Sequence, residues 1–134
     1  MDDKADNARK AQYKEYLKAE LEAAAVYMSV AEAEKDPNRA DVFQRLVQAE
    51  MRHAARWAEK LGMDVSALEP TRVNGKLRII RLAARVFGTS RVVPWLLRGE
   101  AKDVRIYASD PEARDLAMEE RSHARTLRQM ANGG

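Results

Sequence analysis

The chain contains no cysteine among its 134 residues. Disulfides, thiolate zinc sites and a cysteine nucleophile are thereby excluded, and a reducing interior is its natural home. Long apolar runs are missing too. The longest, Val92 to Leu97, is interrupted by Pro94 and falls far short of the roughly eighteen apolar residues that cross a bilayer. The opening Met-Asp-Asp-Lys-Ala-Asp is acidic with no apolar core behind it, so it does not read as a signal peptide. Glycine (6) and proline (4) are scarce, and histidine occurs only 2 times.

What is present is a mixture of 46% apolar and 34% charged residues, the composition of helices with solvated outer faces rather than of a disordered chain. The length suits a single domain with one real core. The formal net charge of +3 is unevenly spread: residues 72–105 carry nine Lys or Arg against Glu100 and Asp103 alone. Such a tract can meet phosphates or anionic lipid. The plainer reading, a solvated helix face, is preferred, and no nucleic-acid partner is expected.

Helical periodicity runs through nearly the whole chain. Residues 8–34 stripe Tyr13, Leu17, Glu20, Ala24, Tyr27 and Ala31; residues 38–61 stripe Phe43, Leu46, Glu50, His53 and Trp57. Residues 90–108 stripe Val93, Leu96, Glu100, Asp103 or Val104, and Tyr107; residues 112–131 stripe Leu116, Glu120, His123, Leu127 and Met130. Asp36-Pro37 and Asp110-Pro111 each offer a capping carboxylate followed by proline at the first helical position, so each predicts a tight helical hairpin. Between the hairpins a longer connection runs from Gly62 into a short amphipathic helix over 76–87, ended by Gly88. Pro94 either opens the third long helix within its first turn or kinks it. Both halves read Glu-x6-Tyr, Asp-Pro, Glu-x-x-His, which predicts an antiparallel bundle of two like hairpins.

The carboxylates stand in unusual places. Glu20, Glu50, Glu100 and Glu120 fall on the apolar stripes, which carry no Lys or Arg. A buried carboxylate needs a partner or a metal. Glu20 and Glu50 lie 16 and 14 residues from Asp36, and Glu100 and Glu120 each lie 10 from Asp110. Each pair is therefore level across its hairpin to within about 3 Å at the helical rise of about 1.5 Å per residue. Each Glu-x-x-His presents both side chains on one face, and both histidines of the chain, His53 and His123, belong to such a motif. Oxygen and imidazole donors without thiolate suit iron or manganese, and two divalent cations balance four carboxylates.

The expected metal ligands are therefore Glu20, Glu50, His53, Glu100, Glu120 and His123, the four carboxylates also forming the reacting centre. Asp103 is either a further ligand or a solvent-facing partner for Lys or Arg. Tyr27 and Tyr107, two turns along from Glu20 and Glu100, either hydrogen-bond the ligands or donate electrons, or simply pack in the core. Trp57 reads as core, and Met28, Met51, Met63, Met118 and Met130 read as packing.

This repeated pattern resembles the rubrerythrin-like branch of the ferritin-like superfamily over residues 8–131. The stretches Gly99-Glu100-Ala101-Lys102-Asp103-Val104 and Pro111-Glu112-Ala113-Arg114 look most like the soluble N-terminal domain of membrane-bound ferritins. The resemblance implies an all-α, ferritin-like four-helix bundle whose long second connection holds a short extra helix. It implies two iron ions on the six ligands, oxidation of ferrous iron by oxygen or peroxide, and a homodimer. It also implies fusion, in a longer protein, to a membrane transporter domain at whose cytoplasmic face this domain would sit. The chain departs from true rubrerythrins in lacking a cysteine-rich rubredoxin module, and Asp103 stands where they carry a glutamate. A storage shell is not expected. The leading reading is a ferroxidase serving iron export or detoxification. The rival is a non-catalytic iron sensor or delivery domain gating a transporter. Whether each site is built within one chain or across a dimer stays open at this level.

Overall fold

The computed structural model describes residues 3–133, which form five α-helices and, among the described residues, no strand. They are α1 (Asp3–Ala33), α2 (Pro37–Lys60), α3 (Gly75–Phe87), α4 (Thr89–Ala108) and α5 (Arg114–Gly133). The boundaries follow local chemistry. Asp36 is extended and its carboxylate accepts from Asn38 N–H at 3.0 Å, with Pro37 opening α2. Asp110 accepts from Glu112 N–H at 3.0 Å, and Pro111–Ala113 makes one 3-10 turn before α5 begins at Arg114, two residues later than periodicity alone predicts. Asn74 caps α3 through Leu77 N–H at 3.0 Å. A single residue, Gly88, separates α3 from α4; its φ of +90° is a conformation that glycine adopts without strain.

One boundary needs correction, and one open alternative narrows. α1 starts five residues before position 8, because Asp3 and Asp6 place acidic side chains at its positive end. Pro94 lies inside α4, five residues after Thr89, so it does not open the helix.

α1 packs along α2, and α4 along α5, as two antiparallel hairpins. α3 rests on α1 and α4. The connection leading into α3 lies against α1, where Thr71 N–H donates to the Leu21 carbonyl at 3.1 Å. Apolar side chains form one cluster around Val30, Phe43, Val93 and Leu127 and another around Tyr16, Trp57, Tyr107 and Leu116. Trp57 is fully buried, as core placement requires, and Met28, Met51 and Met130 pack in or against the core. Met63 and Met118 do not; both are exposed, since neither falls on a stripe that faces another helix.

Clasps join the hairpins at both ends. At one end the Arg9 guanidinium forks onto Asp110, Nη1 to Oδ2 at 3.0 Å and Nη2 to Oδ1 at 3.1 Å, while Tyr16 donates to the same carboxylate at 2.8 Å. At the other end Arg39 of α2 reaches the Met130 carbonyl of α5 at 2.9 Å, Thr89 and Ser90 of α4 at 3.0 Å each, and Glu34 at 3.3 Å. No helix among the described residues is long and apolar enough to cross a membrane.

Candidate metal centre

Between the two apolar clusters the four helices that form the hairpins turn polar. α1 brings in Glu20, α2 brings Glu50 and His53, α4 brings Glu100, and α5 brings Glu120 and His123. All six converge within one chain. Glu50 and Glu120 are 0% exposed, and the least buried of the set, His123, still shows only about an eighth of its side chain to solvent at 12%.

The ligand-bearing atoms fall into two overlapping groups. Glu20, Glu50, His53 and Glu120 offer atoms within 4.8 Å of one another; so do Glu50, Glu100, Glu120 and His123. Glu50 and Glu120 belong to both. His53 Nδ1 lies 3.2 Å from Glu20, 3.5 Å from Glu50 and 3.8 Å from Glu120. His123 Nδ1 lies 2.9 Å from Glu120, 3.5 Å from Glu50 and 3.8 Å from Glu100. The two imidazole rings stack nearly parallel, 14° apart, with centroids separated by 6.1 Å.

Hydrogen bonding sorts these atoms. Tyr107 donates to Glu20 Oε1 at 2.6 Å, and Tyr27 donates to Glu100 Oε1. Each tyrosine thus serves the glutamate of the opposite hairpin, and takes one of its two oxygens. Trp57 Nε1–H supports Tyr107 from behind at 3.2 Å. The remaining oxygens, Glu20 Oε2 and Glu100 Oε2, have no hydrogen-bond partner. Neither do both oxygens of Glu50, both of Glu120, and the Nδ1 atoms of His53 and His123. Among the described residues these eight atoms are the whole set of buried, unpartnered side-chain polar atoms. Buried polar groups are almost always paired, and each orphan costs about 1–3 kcal/mol, more when charged. Eight orphans on six converging side chains fit a cation: a metal ion satisfies carboxylate and imidazole lone pairs together. The buried Glu and His groups here could hold a metal ion.

The electrostatics agree. Burial, reinforced by Glu20, Glu120 and Glu100, pushes the Glu50 carboxyl well above its usual range. Burial also raises Glu100, against the opposing pull of His123. Burial alone would lower His53, but the Glu20, Glu119 and Glu120 carboxylates outweigh it and push the imidazole up to about 9. The carboxylates of Glu100 and Glu120 likewise outweigh burial at His123 and push it to about 10. Burial thus favours the protonated carboxyls of Glu50 and Glu100, and the surrounding carboxylates favour the charged imidazoles.

Asp103 is placed near the centre but outside both groups. It is half-buried and, among the described residues, makes no ion pair with Lys or Arg. Burial and the charges of Glu120, Glu20 and Glu100 raise its carboxyl to about 8. It lines a cavity of about 330 Å³ shared with Tyr27, Trp95 and Glu100.

One neighbour of the cluster escapes sequence reasoning. Glu119, half exposed beside Glu120, meets His53 Nε2, the ring nitrogen that points away from the cluster. A metal-bound imidazole ordinarily holds a carboxylate or carbonyl on its second nitrogen. The sequence offers many glutamates for that post and no way to choose among them before α2 and α5 are known to face each other. Comparison with protein-family models, with curated proteins and with solved structures finds no match to this chain.

Proposed function

We propose that α1, α2, α4 and α5 form a ferritin-like four-helix bundle that binds two iron ions and oxidises ferrous iron. The observation that carries this reading is the set of unpartnered atoms: eight inward donors on six side chains, divided so that two carboxylates serve two adjoining places. Glu50 and Glu120, with both oxygens free and a place in both groups, would help to hold both ions. Glu20 with His53, and Glu100 with His123, would complete one place each. The repeated Glu-x6-Tyr and Glu-x-x-His pattern supports the same reading. Manganese suits these donors as well.

Bound ferrous iron would supply the chemistry, one electron from each of two ions passing to oxygen or to peroxide. The chain's own residues do the rest. Tyr107 and Tyr27 hold Glu20 and Glu100 so that one defined oxygen faces inward. Glu119 fixes the ring of His53 with Nδ1 turned to the cluster. The apolar layers above and below exclude water, which strengthens every charge interaction between them. The raised carboxyls and imidazoles would give up protons as cations enter, Asp103 among them. On this reading the activity serves export or detoxification through an attached transporter, and the domain pairs as a homodimer.

Anaerobic addition of ferrous iron followed by air tests the proposal. A diferric absorbance saturating near two irons per chain is expected, and it should vanish in Glu50→Ala. A wild-type protein that takes up no iron would sink it. Sustained oxidation over many equivalents separates an enzyme from a sensor, which stops after one filling.

A further inference from the structure

α3 has two apolar faces. Leu77, Ile80 and Ala84 are buried against α1 and α4. On the other side Ile79, Leu82 and Val86 share a stripe at helical spacing, and they are 69, 61 and 63% exposed. Phe87 (69%) and Val73 (58%) extend it. Single exposed apolar residues are ordinary, but a run of large ones on one helix marks a contact surface.

The flanks of this stripe are basic. Arg78, Arg81 and Arg85 line one edge at 3–4 spacing, and of these only Arg81 has an ion-pair partner among the described residues, Glu32 at 2.9 Å. On the other edge Lys76 lies over the Trp95 ring at 5.4 Å. From Pro70 to Gly99 the chain has seven Lys or Arg and no Asp or Glu.

We propose that α3 seats this domain on an anionic lipid surface, with Ile79, Leu82, Val86 and Phe87 at the acyl boundary and the arginines on lipid phosphates. A bilayer supplies both things the face lacks, apolar depth and negative charge. A second copy seated on the same face would set Arg78, Arg81 and Arg85 against their own counterparts, with no acid in the stretch to offset them. Nucleic acid would neutralise the arginines and leave the apolar stripe in water. The helix is already folded on its inner face, so docking does not require its backbone to be ordered. At 13 residues it lies on a membrane and does not cross it. Lys76 and Trp95 also line the cavity that reaches Glu100 and Asp103. A bilayer on α3 therefore sits beside the rim of that cavity.

Vesicle co-sedimentation of the chain as it stands tests this. Expected is binding to vesicles containing phosphatidylglycerol at least about tenfold tighter than to pure phosphatidylcholine, weakening as salt rises from about 0.1 M to about 0.5 M. Leu82→Asp and Phe87→Asp, both exposed and therefore tolerated by the fold, should each lower that binding by about tenfold, with circular dichroism unchanged. Arg78→Gln with Arg85→Gln should remove the lipid-charge preference. Three results overturn the proposal: no binding to either vesicle; a dimer in sedimentation that Leu82→Asp dissociates; or salt-sensitive DNA binding that Leu82→Asp leaves intact. None of these depends on the metal centre.

Discussion

Tyr107 hydroxyl donates to Glu20 Oε1 at 2.6 Å, across the gap between the two hairpins. Tyr27 makes the reciprocal bond to Glu100. Burial comes first in raising both phenols above the ordinary tyrosine range, and the neighbouring carboxylates add to it, so they stay protonated and keep donating. Tyr107→Phe and Tyr27→Phe should each leave the helices intact and free a second oxygen on the glutamate. Metal affinity, measured by chelator competition, should fall by about 10- to 100-fold. Unchanged affinity would show these tyrosines to be packing residues only.

Glu119→Ala gives a sharper test, because the residue is half exposed and its loss opens no core cavity. Affinity for manganese should drop about tenfold while thermal stability of the metal-free protein moves little. A large loss of stability instead would assign Glu119 a structural role.

Metal-free protein should lose stability as pH rises. His53 and His123 stand at about 9 and about 10 in the fold against 6.5 in a free chain. Their contribution is therefore complete below about 6.5 and disappears as pH climbs through 9 to 10. Asp103, raised to about 8 from 3.8, acts in the same direction from lower pH. Thermal melts between pH 5 and pH 10 should decline steadily without metal and far less with manganese bound. A melting temperature that rises over this range contradicts the buried cluster.

Loading the site near neutral pH should release protons. Both imidazoles are charged there without metal and must be neutral as ligands. Calorimetry in buffers of different ionisation enthalpy should report about two protons or more per chain filled. A count of zero would mean that the histidines do not bind the metal.

Asp110 governs the acid side. Burial pushes against its charge, but Arg9, Tyr16 and the Glu112 amide hold its carboxyl below the ordinary 3.8. Its stabilisation is thus present above that value and lost as pH falls through the lower folded one. Asp110→Ala removes a helix cap and strips Arg9 of its fork, and should cost about 2–3 kcal/mol in urea unfolding. A change under about 0.5 kcal/mol would place this contact among inconsequential surface pairs.

Much of this was legible in residue order alone. Four stripes carried Glu or His where leucine would be expected, and equal arms about Asp36 and Asp110 put the carboxylates level within each hairpin. How one hairpin faces the other was not legible, because no motif spans the gap. Hence the reciprocal tyrosines and Glu119 needed the fold. The outer stripe of α3 also escaped: its apolar arc, Leu77, Ile80 and Ala84 together with Ile79, Leu82 and Val86, is wider than the neighbouring helices cover, and periodicity does not say which part faces inward. Residue type alone places Met63 and Met118 in the packing, yet both lie in water for want of a facing helix.

The Arg9 and Arg39 clasps have a mechanical consequence. Arg9 lies eleven residues before Glu20, and Glu34, which Arg39 holds, lies fourteen after it. The layer of inward carboxylates and imidazoles is thus braced from both directions at roughly 17–21 Å along the helix axis. With each end tied, lengthwise slippage of one hairpin past the other, even by a single residue step of about 1.5 Å, would have to break these contacts. The spacing of the six inward side chains is thus referenced to two arginines that lie outside the cluster.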